Sequence, residues 1–331
     1  MNHAGAKKSP ICRNLAGKDN KMQKINITSK LDNTPQPALI LPAEGSEPRP
    51  LVVALHTWSA TFESKSAAYG KLCRNRNWHL IHPHFRGENW TPQACGSEFV
   101  ISDIEDAVAY MQQNFAVDDK RIYLVGGSGG GHCALLMAGR RPDLWSAVSA
   151  WCPISDIALW HRQCRKENNG YDKNIEAACG GDPAADTGAM LEALKRSPKS
   201  WLVNAVNKIP VDISTGIHDG HTGSVPVGHA IRAYNILAAE NDRISEADIG
   251  FIEKFQRVPE HLAAAESDPA YGEYTVYLRK VSNSVRLTLF EGGHNIFPAI
   301  SGDWLARQVS GKAPDLSPGE ALDAGIEELT K

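Results

Sequence analysis

The chain has 331 residues, 42% hydrophobic and 22% charged, with a formal net charge of -3. That is the composition of a soluble globular protein with a sizeable core, and the balanced charge excludes electrostatic recruitment to nucleic acid or an anionic membrane. Seven cysteines (Cys12, Cys73, Cys95, Cys133, Cys152, Cys164, Cys179) form no C-x-x-C pair, and the 12 histidines no H-E-x-x-H motif. No disulfide framework, metal site or cofactor is therefore expected, although a Cys164–Cys179 bridge stays open.

Residues 1–23 are polar and lack the apolar segment of a secretory signal. They are expected to form a disordered leader, with Met22 as an alternative start. No run approaches a membrane span, so a cytoplasmic location is expected. A single domain is expected over residues 24–310, with a peripheral tail at 311–331. "LVVALH" at 51–56 suits a strand buried on both faces, and residues 64–75 a helix. A second strand follows at 78–85. In "SEFVISDIEDAVAYMQQNF", Ile101, Ile104, Val108 and Met111 mark one helix face, and Ser102 with Glu105 predicts the helix start near Ser102. "RIYLVG" at 121–126 is a strand, 130–140 a helix, and 145–152 another strand. This alternation predicts an α/β fold: a mostly parallel twisted sheet with helices on both faces.

Two cap-like insertions are expected, at residues 153–208 and 241–283. Between them lie a strand in "VDISTGIHD" and a helix at 225–239. "VRLTLF" alternates apolar and polar residues as a half-exposed edge strand would, and 298–309 is the final helix. Insertions that follow strands facing the site should fold over it, with Trp160, His161 and Arg162 reaching the pocket.

Strand, then Gly126-Gly127-Ser128-Gly129-Gly130, then helix is a nucleophile-elbow arrangement, G-x-S-x-G. So tight a turn lifts the serine hydroxyl above the sheet edge and aims a helix N-terminus at the reacting centre. The Gly129 amide then points where an oxyanion would form. "GGSGGGH" lacks the lysine of a phosphate-binding P-loop and is out of register with G-x-G-x-x-G. A serine nucleophile needs a base and an orienting acid, in the chain order Ser, Asp/Glu, His. Asp219 in "TGIHDGHTGSVP" and His294 in "LFEGGHNIFP" both follow strand ends. His218 and His221 flank the acid as candidate substrate contacts, and His132 is expected to pack beneath the elbow. In "HTWSAT" the Trp58 amide is the first choice for a second oxyanion donor and that of Thr57 the next. His56 and Trp90 are further candidate substrate contacts.

The motifs "HTW", "HFRG", "GGSGGGH", "GIHDGHTGSVP" and "EGGH" resemble those of α/β-hydrolases of the prolyl oligopeptidase-like group. That group includes dienelactone hydrolase and acetyl xylan esterase-like members. The resemblance implies Ser128 as nucleophile, Asp219 as acid, His294 as base, and Arg86 as a brace for loops. It departs from the pattern at Thr57-Trp58, where glycine followed by another residue is usual, and in a longer stretch after Asp219. About 50 residues precede the first core strand, too few for the propeller that filters oligopeptidase substrates.

The expected function is a serine hydrolase working through an acyl-enzyme, as a carboxylesterase on short acyl or carbohydrate esters. No Glu-Glu pair precedes the elbow to hold an amino terminus, and Trp58, Trp90, Trp151 and Trp160 suit a sugar ring or an aromatic acyl group better. Glu98 and Glu291 are the acids that could still hold an amine. The alternatives are a peptidase of the same group without a propeller, and a non-catalytic binding scaffold. The partner is a small-molecule, saccharide or peptide substrate, not nucleic acid or membrane.

Overall fold

The computed structural model describes residues 21–64, 66–263, 267–322 and 328–329. Residues 1–20 of the expected leader, with Cys12, lie outside the described residues. Met22 and Gln23 belong to the folded body: Met22 packs under the sheet, and Gln23 opens the first strand.

The elements run Gln23–Thr28 (β1), Pro35–Leu41 (β2), Arg49–Leu55 (β3), Ser66–Arg76 (α1), His79–Pro83 (β4), Glu98–Asn114 (α2), Val117–Gly127 (β5), Gly129–Arg140 (α3) and Ala147–Trp151 (β6). Then come Ile157–Glu167 (α4), Tyr171–Cys179 (α5), Thr187–Lys195 (α6), Val211–Gly216 (β7), Gly228–Leu237 (α7), Glu246–Phe255 (α8), Val276–Ser282 (β8), Val285–Phe290 (β9) and Pro298–Ala306 (α9). The strands form one nine-stranded sheet in the order β1-β2-β4-β3-β5-β6-β7-β9-β8. The pairs from β4 through β9 are parallel, while β1, β2 and β8 pair antiparallel at the two margins.

Alternation along β3 explains why both faces are covered. Leu51, Val53 and Leu55 point into one core with residues of α2, α3 and α7. Val52 and Ala54 point into the other, with Tyr69 and Cys73 of α1 and Trp304 and Leu305 of α9. A strand apolar on both faces needs helices on both sides. Among the described residues no helix is long and apolar enough to cross a membrane.

Three expectations change. Helix α2 starts a turn earlier than the Ser102/Glu105 spacing suggests. Ser97, in extended geometry at φ -64, is the cap, and its hydroxyl accepts from Val100 N at 3.4 Å. The longer helix buries Val100 and Ile101, which a start at Ser102 would leave outside it. Strand β9 is no edge strand: β7 and β8 flank it, and all six of its residues are buried. Its polar positions are inward-facing, with Arg286 Nε donating to Asp212 Oδ1 of β7 at 2.8 Å. The margins went unread because β1 begins at the edge of the expected leader and is nowhere fully buried, β2 carries Pro35 and Pro37, and β8 sits within an insertion. Cys164 and Cys179 are free thiols.

The described part of the C-terminal tail is tied to the body. Trp304 Nε1 donates to Asp315 O at 3.1 Å, Arg286 Nη1 to Ser317 O at 2.8 Å, and Leu329 N to Ile296 O at 2.9 Å.

Candidate active site

Strand β5 ends at Gly127 and helix α3 begins at Gly129, with Ser128 between them at φ 57 and ψ -122. A residue with a Cβ holds such geometry only where its surroundings enforce it, and this is where functional sites store strain. Enforcement comes from backbone packing. A Cβ on Gly126 would lie 2.3 Å from Gly130 O, and one on Gly130 2.5 Å from Leu55 O. Ser128 N donates to Trp151 O at the end of β6 at 2.8 Å, and His132 N closes the first helical turn on Ser128 O at 2.8 Å. His132 packs beneath the elbow as expected. Its Nε2 meets Arg196 O at 2.7 Å, and burial pushes its pKa down to about 4.

The acid loop continues from β7. Asp219 is buried and its two carboxylate oxygens are held separately. Oδ1 accepts from Gly220 N at 2.9 Å and Val225 N at 3.4 Å. Oδ2 lies 2.8 Å from His294 Nδ1 and 3.5 Å from Thr215 Oγ1. A carboxylate facing Nδ1 fixes the proton there and leaves Nε2 as the basic nitrogen. The loop bearing His294 is pressed on the elbow, since a Cβ on Gly127 would meet Ile296 Cδ1 at 2.2 Å. Ser128, Asp219 and His294 thus come from the carboxyl ends of β5, β7 and β9, on one rim of the sheet.

The oxyanion loop follows β3. A Cβ on Gly129 would sit 2.5 Å from Trp58 N, so the backbones of Gly129 and Trp58 touch with no side chain between them. Asn89 anchors this loop, its N and Nδ2 donating to Trp58 O at 3.0 and 3.3 Å. Thr57 contributes a carbonyl that faces His56 Nδ1 at 3.0 Å.

The first insertion clasps this loop. Trp58 Nε1 donates to Asn174 Oδ1 of α5 at 3.2 Å, and its ring meets Trp160 of α4 edge-on at 4.7 Å. Trp160 stacks on Tyr171 and donates from Nε1 to Ser224 O, in the loop that carries Asp219, at 2.8 Å. Helices α4 and α5 therefore bridge the oxyanion loop and the acid loop.

Several proposed substrate contacts are engaged elsewhere. Trp160 is 1% exposed, in a core shared with Trp58 and Val225, and Trp151, the last residue of β6, is buried and donates to Ser301 Oγ at 2.7 Å. His161 is buried with Nε2 on Glu176 Oε1 at 3.2 Å, while Arg162 faces solvent. His56 directs both ring nitrogens at carbonyls, Thr57 O and His84 O, and stacks on Phe85 with centroids 3.9 Å apart. Burial pulls its pKa down to about 4. His218 bridges Gln256 Oε1 and Glu291 Oε1, each at 2.9 Å, and His221 Nε2 meets Glu253 O at 2.7 Å. Trp90 is exposed. Arg86 does brace loops, binding Asp103, Asp32 and Ser29.

Among the described residues two side-chain groups gather metal-type donors, Cys152–Asp219–His294 and His161–Glu176–Asp182, each with its atoms within 4.8 Å. In the second, Arg165 already binds both carboxylates. The first holds Cys152, to which the sequence motifs assign no role. Its place directly after the strand following the elbow was the available signal.

The model of the prolyl oligopeptidase family matches residues 84–242, a span that includes Ser128 and Asp219 and stops before His294. No curated protein matches the chain. Among solved structures, Pyrococcus horikoshii acylaminoacyl peptidase is similar in fold, with a TM-score of 0.59 and 14% identity over 90% of this chain and 43% of that one. Oligopeptidase B from Leishmania major is similar with a TM-score of 0.54 and 16% identity over 86% of this chain and 34% of that one. The chain thus spans less than half the length of these peptidases. The fold and the elbow are those of an α/β-hydrolase, and over residues 84–242 the chain is similar to the prolyl oligopeptidase family.

Proposed function

We propose that this chain is a serine hydrolase that works by two-step acyl transfer. One observation carries the reading: the His294–Asp219 hydrogen bond of 2.8 Å stands on the same sheet rim as a serine held at φ 57. His294 Nε2 takes the Ser128 proton as Oγ attacks the carbonyl carbon. The oxyanion rests on the amides of Gly129 and Trp58, the arrangement in which fixed dipoles lower the barrier most. The imidazolium returns its proton to the leaving group, and water, activated by the same nitrogen, releases the acid.

The substrate class we favour is a short-acyl or carbohydrate ester. Glu98 and Glu291, the acids named for holding a peptide amino terminus, are both engaged. Glu98 binds Arg140, at the far end of α3 from the elbow and about 17 Å down that helix axis. Glu291 accepts from Tyr277 Oη at 2.5 Å and from His218. A second reading, a peptidase of the same group, draws support from the family match and from the peptidase names of the similar structures.

Two measurements test this. Fluorophosphonate labelling should mark the wild type and spare Ser128→Ala, which should also lose turnover; an active Ser128→Ala would sink the hydrolase reading. Comparison of kcat/KM on p-nitrophenyl acetate against aminoacyl and prolyl p-nitroanilides separates the substrate classes. A higher value on an anilide, whose leaving group is intrinsically worse, would replace the esterase with the peptidase.

A further inference from the structure

We propose that Cys152 is a positioning residue for the catalytic groups, its thiol tying the loop of His294 to the place where Asp219 can hold the imidazole. This rests on the serine hydrolase reading above.

The dipeptide Trp151-Cys152 touches the segments that carry all three groups. Trp151 O accepts from Ser128 N at 2.8 Å. Cys152 N donates to Ser214 O at 2.8 Å, on the strand that leads to Asp219. Cys152 Sγ donates to Asn295 O at 3.4 Å, the carbonyl directly after His294. Sulfur, carboxylate and imidazole donor atoms lie within 4.8 Å of one another.

The backbone at Cys152 adopts φ 45, the left-handed region that a residue with a Cβ occupies only where its surroundings enforce it. Relaxing that residue to an ordinary conformation would turn the thiol away from Asn295. His294 follows Gly292-Gly293, with Gly292 at φ 154, a glycine-specific conformation, and ahead of His294 the loop is held by His218 N, which donates to Gly292 O at 2.9 Å. One internal bond, Gly293 N to Asn295 Oδ1 at 2.6 Å, closes the tip of that loop. The thiol joins the same segment to the sheet.

Burial, and after it the negative charge of Asp219, push the thiol well above its ordinary pKa of 9.0. Cys152 is therefore a protonated donor at neutral pH, not a second nucleophile.

The test compares Cys152→Ala, which deletes the donor, with Cys152→Ser, which keeps one in nearly the same place. Both are made in the full chain, with Ser128→Ala alongside. Readouts are kcat and KM on p-nitrophenyl acetate, the thermal midpoint, and the low-field proton resonance of His294 Nδ1–H. Misplacing a catalytic base by a fraction of an ångström should lower kcat in Cys152→Ala by about tenfold to a hundredfold, with KM held within about twofold. The resonance should broaden or move, and Cys152→Ser should restore most of kcat. Wild-type kcat in Cys152→Ala overturns the proposal, as does a folded Cys152→Ser that has lost both kcat and the resonance. If Cys152→Ala does not fold, Cys152→Ser decides: retention of kcat and resonance supports the tether, and loss of them in a folded protein overturns it. A dead Ser128→Ala beside an unaffected Cys152→Ala removes only the tether, whereas an active Ser128→Ala removes the hydrolase reading itself.

Discussion

His294 and Asp219 arrive from different strand ends and meet through one hydrogen bond, Nδ1 to Oδ2 at 2.8 Å. The other carboxylate oxygen is fixed by the amides of Gly220 and Val225, so the acid cannot swing away from the imidazole. Asp219→Asn keeps the size but removes the acceptor that fixes the Nδ1–H tautomer. The expected result is a fall in kcat of roughly 10³–10⁴ with KM little changed, by analogy with the same change in other triads. Steady-state kinetics check it; a loss under tenfold would move the orienting acid elsewhere.

The contact of Gly129 with Trp58 yields a second test. In Gly129→Ala the new Cβ would fall 2.5 Å from Trp58 N and 2.6 Å from its Cα, both backbone atoms. The two amides must separate, and the oxyanion hole opens. Loss of one donor costs about 10²–10³ in kcat elsewhere, and the same range is expected here. Fluorophosphonate labelling should slow in parallel, because the phosphonyl oxygen needs the same donors. Unchanged kcat would show that the oxyanion is held by other groups.

The elbow, the order of its partners and the parallel core were legible because each follows from a local rule. Glycines around Ser128 report backbone contact, and loop residues after apolar runs report strand ends. What stayed hidden depends on partners distant in sequence. Arg286 and Thr288 made β9 look half exposed because nothing nearby announces that Asp212, 74 positions away, neutralises the arginine inside the sheet. Trp160 looked like a sugar platform, yet Trp58, Tyr171 and Ser224 O occupy its faces and its polar edge. Ser102 and Glu105 fit a capping pattern, but the turn made by Cys95 at φ 49 and Gly96 at φ 69 delivers Ser97 to the cap first.

The insertion should influence catalysis through Asn174, whose side chain holds the indole of Trp58 at 3.2 Å. Asn174→Ala removes one hydrogen bond, a change of about 1 kcal/mol in the fixing of that loop. We expect a severalfold fall in kcat and a small fall in thermal midpoint. Asn174→Asp, which keeps an acceptor at the same place, should be closer to wild type. Equal kinetics for Asn174→Ala and wild type would show that ring packing on Trp160 alone positions Trp58.

Arg286 and Asp212 form an ion pair whose side chains are 1% and 0% exposed, and Ser149 Oγ donates to the second carboxylate oxygen at 3.1 Å. Asp212→Ala leaves a guanidinium in the sheet core without its counter-charge. Breaking one side of a buried pair costs about 3–5 kcal/mol, so chemical denaturation should reveal severe destabilisation or no soluble protein. The paired replacement Asp212→Leu with Arg286→Met should recover much of that loss, since the penalty lies in the orphaned charge. If Asp212→Ala unfolds at the wild-type midpoint, the pair is irrelevant to stability.

Acid should weaken the fold in a window set by buried histidines. Burial, the largest cause in each case, holds His56, His82 and His132 down at about 4 and His229 at about 3, against an ordinary value of 6.5. The geometry agrees for His229. Its Nδ1 accepts from Ser155 N at 3.2 Å and its Nε2 faces Gln163 Oε1 at 2.8 Å, so a second proton would set one N–H against another. Once unfolded, these rings bind protons near pH 6.5, while the native state refuses them until about 4. Between those limits the unfolded state holds more protons, so stability falls as pH falls, by up to about 1.4 kcal/mol per pH unit for each histidine. Above about pH 7 all four contributions are fully present, and below the folded-state values no further loss comes from them. Carboxylates held low by arginine, such as Asp143 beside Arg141, act in a separate window, losing their contribution only below the ordinary carboxylate range. Urea midpoints measured from pH 7.5 to 4.5 should therefore decline steadily from near 6.5. His229→Asn, whose Oδ1 can still accept from Ser155 N, should flatten that decline by about one proton. A midpoint constant down to pH 5 would mean that these rings are protonated in the native state or solvated before unfolding, and the window would have to be abandoned.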